Sequence, residues 1–198
     1  MSRHAAPSRA GSAGRRCDVS VIIKPWDDRG VSALHVRDAV PADVPSIRSL
    51  VADYAHQRIL LEHDHVSYYE AIRDFVVAEQ DGQIIGCGAL HILWKELGEI
   101  RTVAVDAEWK RSGVGSAVIT SLVERARELG LTQLFCLTFE VEFFARHGFV
   151  PVEGDVVPAD VYQELLLSHD DGVAQFLDLA RVKPNTLGNT RMLRMLHE

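Results

Sequence analysis

The sequence predicts a single α/β (α+β) domain in which helices flank a mixed central sheet. From Leu34 onward, segments with helical spacing of apolar residues alternate with short strand-like runs. Asp81-Gly82 separates two such runs, and this pair is a strong signal for a tight β-hairpin. A long amphipathic segment, residues 118–129, ends at Gly130. With no internal repeat visible, these patterns favour one mixed domain.

The elements follow in order along the chain. Strands are predicted at residues 34–37, 75–78, 84–90, 98–105 and 134–138, and a last strand begins over 149–152. Pro41-Ala42-Asp43 is a helix-start signal for residues 44–54, and further helices are predicted at 118–129 and 143–147. A second helix is predicted to hold Tyr68, Tyr69, Ile72 and Phe75, although Phe75 also begins a strand-like run.

The first 33 residues differ in composition from the rest. Residues 1–18 are rich in Ala, Ser, Gly and Arg, so they offer little apolar surface to offset the entropy of ordering. We interpret residues 1–33 as a disordered tail and linker, and residues 34–198 as the folded domain. The tail composition is also typical of an organellar transit peptide, which remains the alternative.

Composition excludes several classes of protein. The 198 residues carry a net charge of −7, which argues against a nucleic-acid-binding surface spread over the whole domain. No apolar run is long enough for a membrane span. The three cysteines are odd in number and widely spaced, which indicates reduced thiols in a cytoplasmic protein. A chain of this size needs no metal to fold, and we predict none.

The segment 110–116, Lys-Arg-Ser-Gly-Val-Gly-Ser, carries the most chemical information. Two glycines between a strand and a helix start let backbone amides approach an anion, and the helix terminus adds partial positive charge. The segment therefore predicts a phosphate or pyrophosphate site, with a plain tight turn as the alternative. Its spacing fits neither a Walker loop nor a dinucleotide fingerprint.

This segment resembles the pyrophosphate loop of the GNAT acetyltransferase superfamily, Arg/Gln-x-x-Gly-x-Gly/Ala, with Lys110 in the first position. Residues 143–149, Phe-Phe-Ala-Arg-His-Gly-Phe, are similar to the aromatic helix of that family, which ends in Gly-Phe. The resemblance implies a GNAT fold and acetyl-CoA as co-substrate. It also implies a homodimer, because such domains often pair through their sheet edges.

Other segments resemble the short, stand-alone bacterial N-acetylglutamate synthases. They are residues 86–91, 99–105 and 134–138 and the ending Lys-Pro-Asn-Thr-Leu-Gly-Asn-Thr-Arg-Met-Leu at 183–193. This resemblance implies acetylation of the α-amine of glutamate, the first step of arginine biosynthesis. Glutamine, another amine and a protein lysine remain alternative acceptors. A non-catalytic sensor of acyl-CoA or amino acids is an alternative of another class.

The resemblance also implies site residues. For acyl-donor binding, the strand and loop positions that match the family are Val103, Ala104, Val105, Lys110, Arg111, Ser112, Gly113, Val114, Gly115 and Ser116. The loop residues are expected to act through their amides. A backbone N–H near Val103 is expected to polarise the acetyl carbonyl.

For the acceptor, Glu99 is the candidate general base, with a solvent-exposed strand-end carboxylate as the alternative. Thr138 or solvent is the candidate for protonating the thiolate, because the aromatic helix has no tyrosine. The candidates for binding the amino acid are Arg101, Thr102, Asn189, Thr190 and Arg191, and Lys183 is a weaker addition. The alternative for Arg191 is a surface residue on the last strand.

Two further patterns are assigned no chemistry. His63-Asp64-His65 has the composition of a metal site, but an exposed loop is the favoured interpretation. Tyr54, Tyr68 and Tyr69 are interpreted as helix-packing residues.

Overall fold

The computed structural model describes residues 33–56, 60, 64–182 and 188–196. The predicted tail therefore lies outside the described residues except for residue 33, as do His63 and Lys183. The strands are β1 (His35–Asp38), β2 (Phe75–Gln80), β3 (Gln83–Trp94), β4 (Leu97–Val105), β5 (Gln133–Thr138), β6 (Val150–Pro151) and β7 (Thr190–Met195). The helices are α1 (Val44–His56), α2 (His65–Glu70), α3 (Val114–Glu128), α4 (Val141–Arg146), α5 (Ala159–Leu165) and α6 (Asp171–Phe176).

These strands form one mixed sheet in the order β1-β2-β3-β4-β5-β7-β6. The first four strands pair antiparallel with their neighbours, and β5 lies parallel to β4. β7 lies antiparallel to both β5 and β6. The predicted mixed sheet with flanking helices is thus confirmed.

Two turn predictions are confirmed by backbone conformation. Asp81 and Gly82 adopt φ values of 52° and 76° between β2 and β3, as a tight hairpin turn with two left-handed residues requires. Gly130 follows α3 with φ 77°, the left-handed conformation that ends many helices.

Alternation of side chains along the strands gives the sheet two apolar faces. On one face, Val118, Ile119 and Leu122 of α3 pack with Leu134 and Cys136 of β5, and α4 adds to the same cluster. The opposite face holds two clusters, one around α1 and α2 and the other around α5 and α6. Between those two clusters, Arg101, Thr102 and Val103 of β4 are partly exposed, and this is where the candidate site lies.

Both described cysteines are buried in the strands, as predicted. Cys87 and Cys136 form no disulfide, and burial raises the pKa of the Cys87 thiol to about 12. Burial also raises the pKa of the Cys136 thiol. Both thiols are therefore protonated and unreactive at neutral pH.

Three element predictions need correction. α2 ends at Glu70, and Phe75 begins β2, where it is buried next to Tyr68. Its apolar side chain suits either state, and the strand ladder with β3 decides between them. The strand predicted to begin over 149–152 is the short β6, Val150–Pro151, and the Val152 N–H still donates to the carbonyl oxygen of Arg191 in β7. The short helices α5 and α6 were not predicted.

No helix in the described ranges is long and apolar enough to cross a bilayer.

Candidate active site

The site begins where two parallel strands separate. β4 and β5 pair only at Leu97, Gly98 and Glu99, which lie opposite Gln133, Leu134 and Phe135. From Ile100 to Val105, β4 continues beside β3 but has no pairing with β5. Apart from those of Val105, which bond the Tyr54 hydroxyl, the backbone polar groups on this edge of β4 are therefore available to a ligand that enters the wedge between the strands.

β4 also carries an irregularity at this point. Its register with β3 shifts between Cys87 and Ala89, which pair with Ala104 and Arg101. Thr102, within the shifted segment, has φ 58°. A threonine in the left-handed region is strained, and strained residues concentrate at functional sites. The irregularity turns the peptides around Thr102 and Val103 away from regular ladder pairing.

The end of β4 is bonded to a side chain of α1. The Tyr54 hydroxyl donates to the carbonyl oxygen of Val105 at 2.7 Å and accepts from the Val105 N–H at 3.3 Å. The ammonium of Lys110 lies 4.9 Å from the centre of the Tyr54 ring, a cation–π contact. Sequence reasoning gave Tyr54 only a packing role, since no local pattern links α1 to a strand that lies 51 residues further along the chain.

The glycine segment has the geometry of an anion cradle. Arg111 and Gly113 have φ values of 65° and 95°, and Gly113 is the N-cap of α3 with no side-chain cap. The first-turn N–H groups of Val114, Gly115 and Ser116 have no partner within the helix. They converge at the positive end of the helix dipole, which favours a phosphate.

Two residues of this segment have polar groups that contact the protein itself. The N–H of Ser112 donates to the carbonyl oxygen of Trp109, and the Ser112 hydroxyl donates to the same oxygen. These donors close the turn that precedes α3, so the expected anion contact through the Ser112 amide is not available. The Lys110 side chain lies over Tyr54.

A cavity of about 630 Å³ lies beside the wedge, between the helical clusters of the second sheet face. β4 contributes Glu99, Arg101 and Thr102, and β3 contributes His91. The other charged residues in its described lining are Glu70, Asp74, His169, Asp170 and Asp171. The cavity thus joins a strand edge suited to an acyl chain with side chains suited to an amino acid.

Glu99 is buried at the base of this cavity. The residue is 3% exposed, and its Oε2 has no hydrogen-bond partner among the described residues. Burial raises its pKa to about 7, although the nearby Arg101 acts in the opposite direction. The solvent-exposed alternative for Glu99 is therefore wrong. A carboxylate with this pKa is matched to accepting a proton near neutral pH.

Arg101 is held by a residue that sequence reasoning missed. Its Nη1 donates to both carboxylate oxygens of Asp170, at 3.0 and 3.3 Å, and lies 3.8 Å from Oε2 of Glu99. Asp170 is also the N-cap of α6, since its Oδ1 accepts the N–H of Val173. Burial alone would raise the pKa of Asp170, but Arg101 and the Val173 amide hold it below its ordinary value.

The first turn of α6 closes tightly over these side chains. A Cβ atom at Gly172 would lie 2.5 Å from Nη1 of Arg101. It would also lie 2.8 Å from Oδ1 of Asp170 and from Oε2 of Glu99. Only glycine fits at this position without displacing the three charged groups.

Three acceptor-binding residues were predicted at the start of β7: Asn189, Thr190 and Arg191. Of these, only Asn189, which immediately precedes the strand, lines the cavity. The Arg191 guanidinium donates to the carbonyl oxygens of Gly154 and Phe176 and lies over the Phe135 ring. Arg191 thus fastens β7 to the chain around it, and both its predicted substrate contact and the surface alternative need correction. Thr190 pairs with Thr138 across β7 and β5. Thr138 accepts the N–H of Glu140 at 2.9 Å.

The described residues contain no group of three or more metal-ligating side chains. Of the His63-Asp64-His65 sequence, His65 begins α2 and is exposed. His63 is outside the described residues.

Comparison with protein families and curated sequences gives consistent matches. The profile of the Acetyltransferase (GNAT) family matches residues 44–149. A Mycobacterium tuberculosis protein named amino-acid acetyltransferase is 53% identical over 176 residues, covering 87% of this chain and 98% of that protein. The amino-acid acetyltransferase of Aeromonas salmonicida is 32% identical over 131 residues, covering 65% of this chain and 30% of that longer protein.

Solved structures agree with these matches. A Mycobacterium tuberculosis crystal structure in complex with CoA and NLQ has a TM-score of 0.79 and 54% identity, over 82% of this chain and 99% of that chain. N-acetylglutamate synthase from Neisseria gonorrhoeae, complexed with coenzyme A and N-acetyl-glutamate, has a TM-score of 0.69 and 25% identity. That match covers 84% of this chain and 36% of the longer one.

Proposed function

The chain belongs to the GNAT acetyltransferase family, and from this premise we propose that it transfers the acetyl group of acetyl-CoA to the α-amine of glutamate. The observation that carries the proposal is the position of buried Glu99, at the point where the open edge of β4 meets a charged cavity. This reaction would be the first step of arginine biosynthesis. The relatives with named activity support amino-acid acetylation.

The acyl donor is proposed to lie in the wedge between β4 and β5. Its pyrophosphate would accept hydrogen bonds from the amides of Gly113, Val114, Gly115 and Ser116, with Arg111 at the entrance of the loop. Its extended arm would pair with the backbone of Val103 and Val105, with Ala104 between them on the same strand. The strained peptide before Val103 supports a role for the Val103 N–H in polarising the acetyl carbonyl.

Glu99 is proposed to accept the proton that the acceptor ammonium must lose before it attacks. Its burial and its raised pKa of about 7 support this role, because such a carboxylate is a stronger base than an exposed one. The leaving thiolate would take a proton from Thr138 or from solvent. Thr138 uses its oxygen to accept the Glu140 amide, so its own proton remains available for donation.

Arg101 is proposed to bind the α-carboxylate of the acceptor. Asp170 engages Nη1 of Arg101, which fixes the guanidinium plane and leaves other donors of the fork for a substrate carboxylate. Thr102 and Asn189 line the same cavity and are proposed as polar neighbours of the bound amino acid. Arg191 and Thr190 are not retained in this set, because neither lines the cavity: Arg191 donates to backbone carbonyls, and Thr190 pairs with Thr138 in the sheet.

Glutamine is the second candidate acceptor, and the charge of the cavity favours it. The described lining holds the carboxylates of Glu70, Asp74, Asp170 and Asp171 in addition to Glu99. Arg101 is the one arginine in that lining and already faces Asp170. A side-chain amide would be repelled less by this lining than a second carboxylate would be.

Thiol release from acetyl-CoA tests the proposal, with glutamate, glutamine and the other amino acids as separate acceptors. Gly113→Trp should abolish release, because it fills the left-handed turn of the anion cradle. Gly130→Trp is the matched control, since it places the same side chain at a left-handed glycine beyond the other end of α3. Release that is greatest with glutamate supports the proposal, release that is greatest with glutamine supports the second candidate, and the absence of release with every amino acid contradicts both.

A homodimer in the cytoplasm completes the proposal. The edge strand β6 and its neighbour β7 present Val150 and Met195, which are 60% and 47% exposed, and edge pairing would cover them. The unpaired thiols of Cys87 and Cys136 are consistent with a reducing compartment. Light scattering that gives the mass of one chain would contradict the dimer.

A further inference from the structure

His91 lies directly across the sheet from Glu99. The two residues are Cα partners in the antiparallel ladder of β3 and β4, and both line the cavity. Partners of this kind project their side chains from the same face, with Cβ atoms about 5 Å apart. The imidazole is thus a close neighbour of the proposed general base.

Asp74 fixes the orientation of the His91 ring. Its Oδ2 lies 2.9 Å from Nδ1 of His91, at the end of the 3₁₀ turn Ile72–Asp74 that precedes β2. Because an ionised carboxylate only accepts, Nδ1 carries the proton of this hydrogen bond. The neutral ring then presents Nε2 as an acceptor.

The proposed reaction leaves one proton to be removed in every turnover. An ammonium group and a thioester give an amide, a free thiol and one proton. Of the three ammonium protons, one stays on the amide, one ends on the thiol, and one is taken by the base. Glu99 is only 3% exposed, whereas the side chains of His91 and Asp74 are 27% and 30% exposed. The base needs a partner that reaches solvent.

We propose that His91, oriented by Asp74, takes the proton from Glu99 after each transfer and releases it to solvent, which rests on the acetyl transfer proposed above. The proton moves from the Glu99 carboxyl through an intervening water to Nε2 of His91, and from the resulting imidazolium to solvent. The charged groups facing the ring are Asp74 on one side and Glu99, Arg101 and Asp170 on the other.

Replacing His91 by alanine in the full chain tests this role. In dilute buffer the kcat of His91→Ala should fall at least about tenfold, since positioned acid–base groups typically contribute that much or more. The KM for acetyl-CoA should stay unchanged, because the ring lies away from the glycine segment. Added imidazole should restore much of the lost kcat, which a merely structural role would not allow. His65→Ala, at the exposed first residue of α2, is the matched control and should keep full activity.

Asp74→Asn provides a second variant, with thermal unfolding as a check that both variants fold. It should lower kcat less than His91→Ala does, and imidazole should have little effect because the ring is still present. Unchanged kcat in His91→Ala, or a loss that imidazole and concentrated buffer do not restore, overturns the relay while leaving acetyl transfer intact. A wild-type protein that acetylates no amino acid would overturn the proposed function itself, and the relay with it.

Discussion

The Tyr54 hydroxyl bonds both polar backbone groups of Val105, donating to its carbonyl at 2.7 Å and accepting from its N–H at 3.3 Å. These are the groups that an acyl donor extended along β4 is proposed to use. Binding of the donor would therefore replace the hydrogen bonds between Tyr54 and Val105 with hydrogen bonds between the donor and Val105. The exchange would also affect α1, whose last turn leads into the segment that contributes Leu60 to the acceptor cavity.

Tyr54→Phe should strengthen coenzyme A binding. In the variant, the backbone of Val105 has no hydrogen bond to residue 54 that must break before the ligand pairs with it. A typical net hydrogen bond is worth about 1 kcal/mol, so the dissociation constant should fall about fivefold. Calorimetric titration with coenzyme A measures this change. Tyr69→Phe on exposed α2 is the control and should bind as the parent does. Weaker binding by Tyr54→Phe would show that the hydroxyl assists the ligand.

The kcat/KM profile should show an acid limb near pH 7. Burial raises the pKa of Glu99 to about 7, and only the deprotonated form can accept a proton, so kcat/KM should rise as pH increases through that value. Glu99→Gln should lower kcat by about 10²-fold or more and remove this limb. A Glu99→Gln variant that keeps full turnover at neutral pH would eliminate Glu99 as the base.

Asp170→Asn should move the acid limb to lower pH. The Asp170 carboxylate raises the pKa of Glu99, so its removal should lower that pKa. The positive charge of Arg101, no longer paired with Asp170, should then act more strongly on Glu99 and lower the pKa further. Asparagine still caps α6, so the helix should persist. The pH profile of kcat/KM for the variant and the parent, measured together, gives the shift. A limb that moves to higher pH would contradict this arrangement of charges.

Gly172→Ala should disrupt the site without unfolding the domain. The new methyl group would overlap Arg101, Asp170 and Glu99, and displacement of about 1 Å can cost about 10²-fold in rate. Steady-state kinetics and thermal unfolding measure the two effects. Gly154→Ala is the control for activity, because a Cβ atom there meets nothing within 4 Å and the residue does not line the cavity, although its φ of 73° makes a loss of stability expected. Equal activity losses in both variants would contradict the specific overlap.

Arg191→Met should lower the stability of the fold but not affect binding of the amino acid, whereas Arg101→Lys should do the reverse. Arg191 donates to two carbonyls, so its loss should destabilise the fold by about 1.5–3 kcal/mol and leave the KM for the amino acid nearly unchanged. Arg101→Lys removes planar two-point recognition and should raise that KM with little loss of stability. Chemical denaturation and initial-rate measurements separate the two. A raised KM in Arg191→Met with unchanged stability would return Arg191 to the acceptor site.

The parts of the site that lie close together in the sequence were predictable. Glu99, Arg101 and Thr102 share one strand, and the glycine segment lies directly before an amphipathic helix with a clear end. Backbone geometry at Gly113, with φ 95°, follows from the residue type itself. The glycine segment and β4 were therefore recognisable as local patterns, whereas their roles in binding the donor and the acceptor stay predictions.

The acceptor side depends on contacts that no local pattern records. Asp170 meets Arg101 across 69 residues, and it lies before a six-residue helix whose apolar periodicity is too short to detect. Arg191 was expected to bind the substrate because arginine suits a carboxylate. The carbonyl groups of Gly154 and Phe176 compete for it, and only the folded chain brings them to that guanidinium.

Product identification tests the central claim most directly. Acetyl-CoA and the wild-type protein are incubated with glutamate and glutamine at equal concentrations, and the products are resolved by mass spectrometry. The account predicts an amino acid acetylated on its α-amine, formed in step with free coenzyme A, and lost in Glu99→Gln. Coenzyme A release without an acetylated amino acid, or acetyl groups found only on protein lysines, would contradict it.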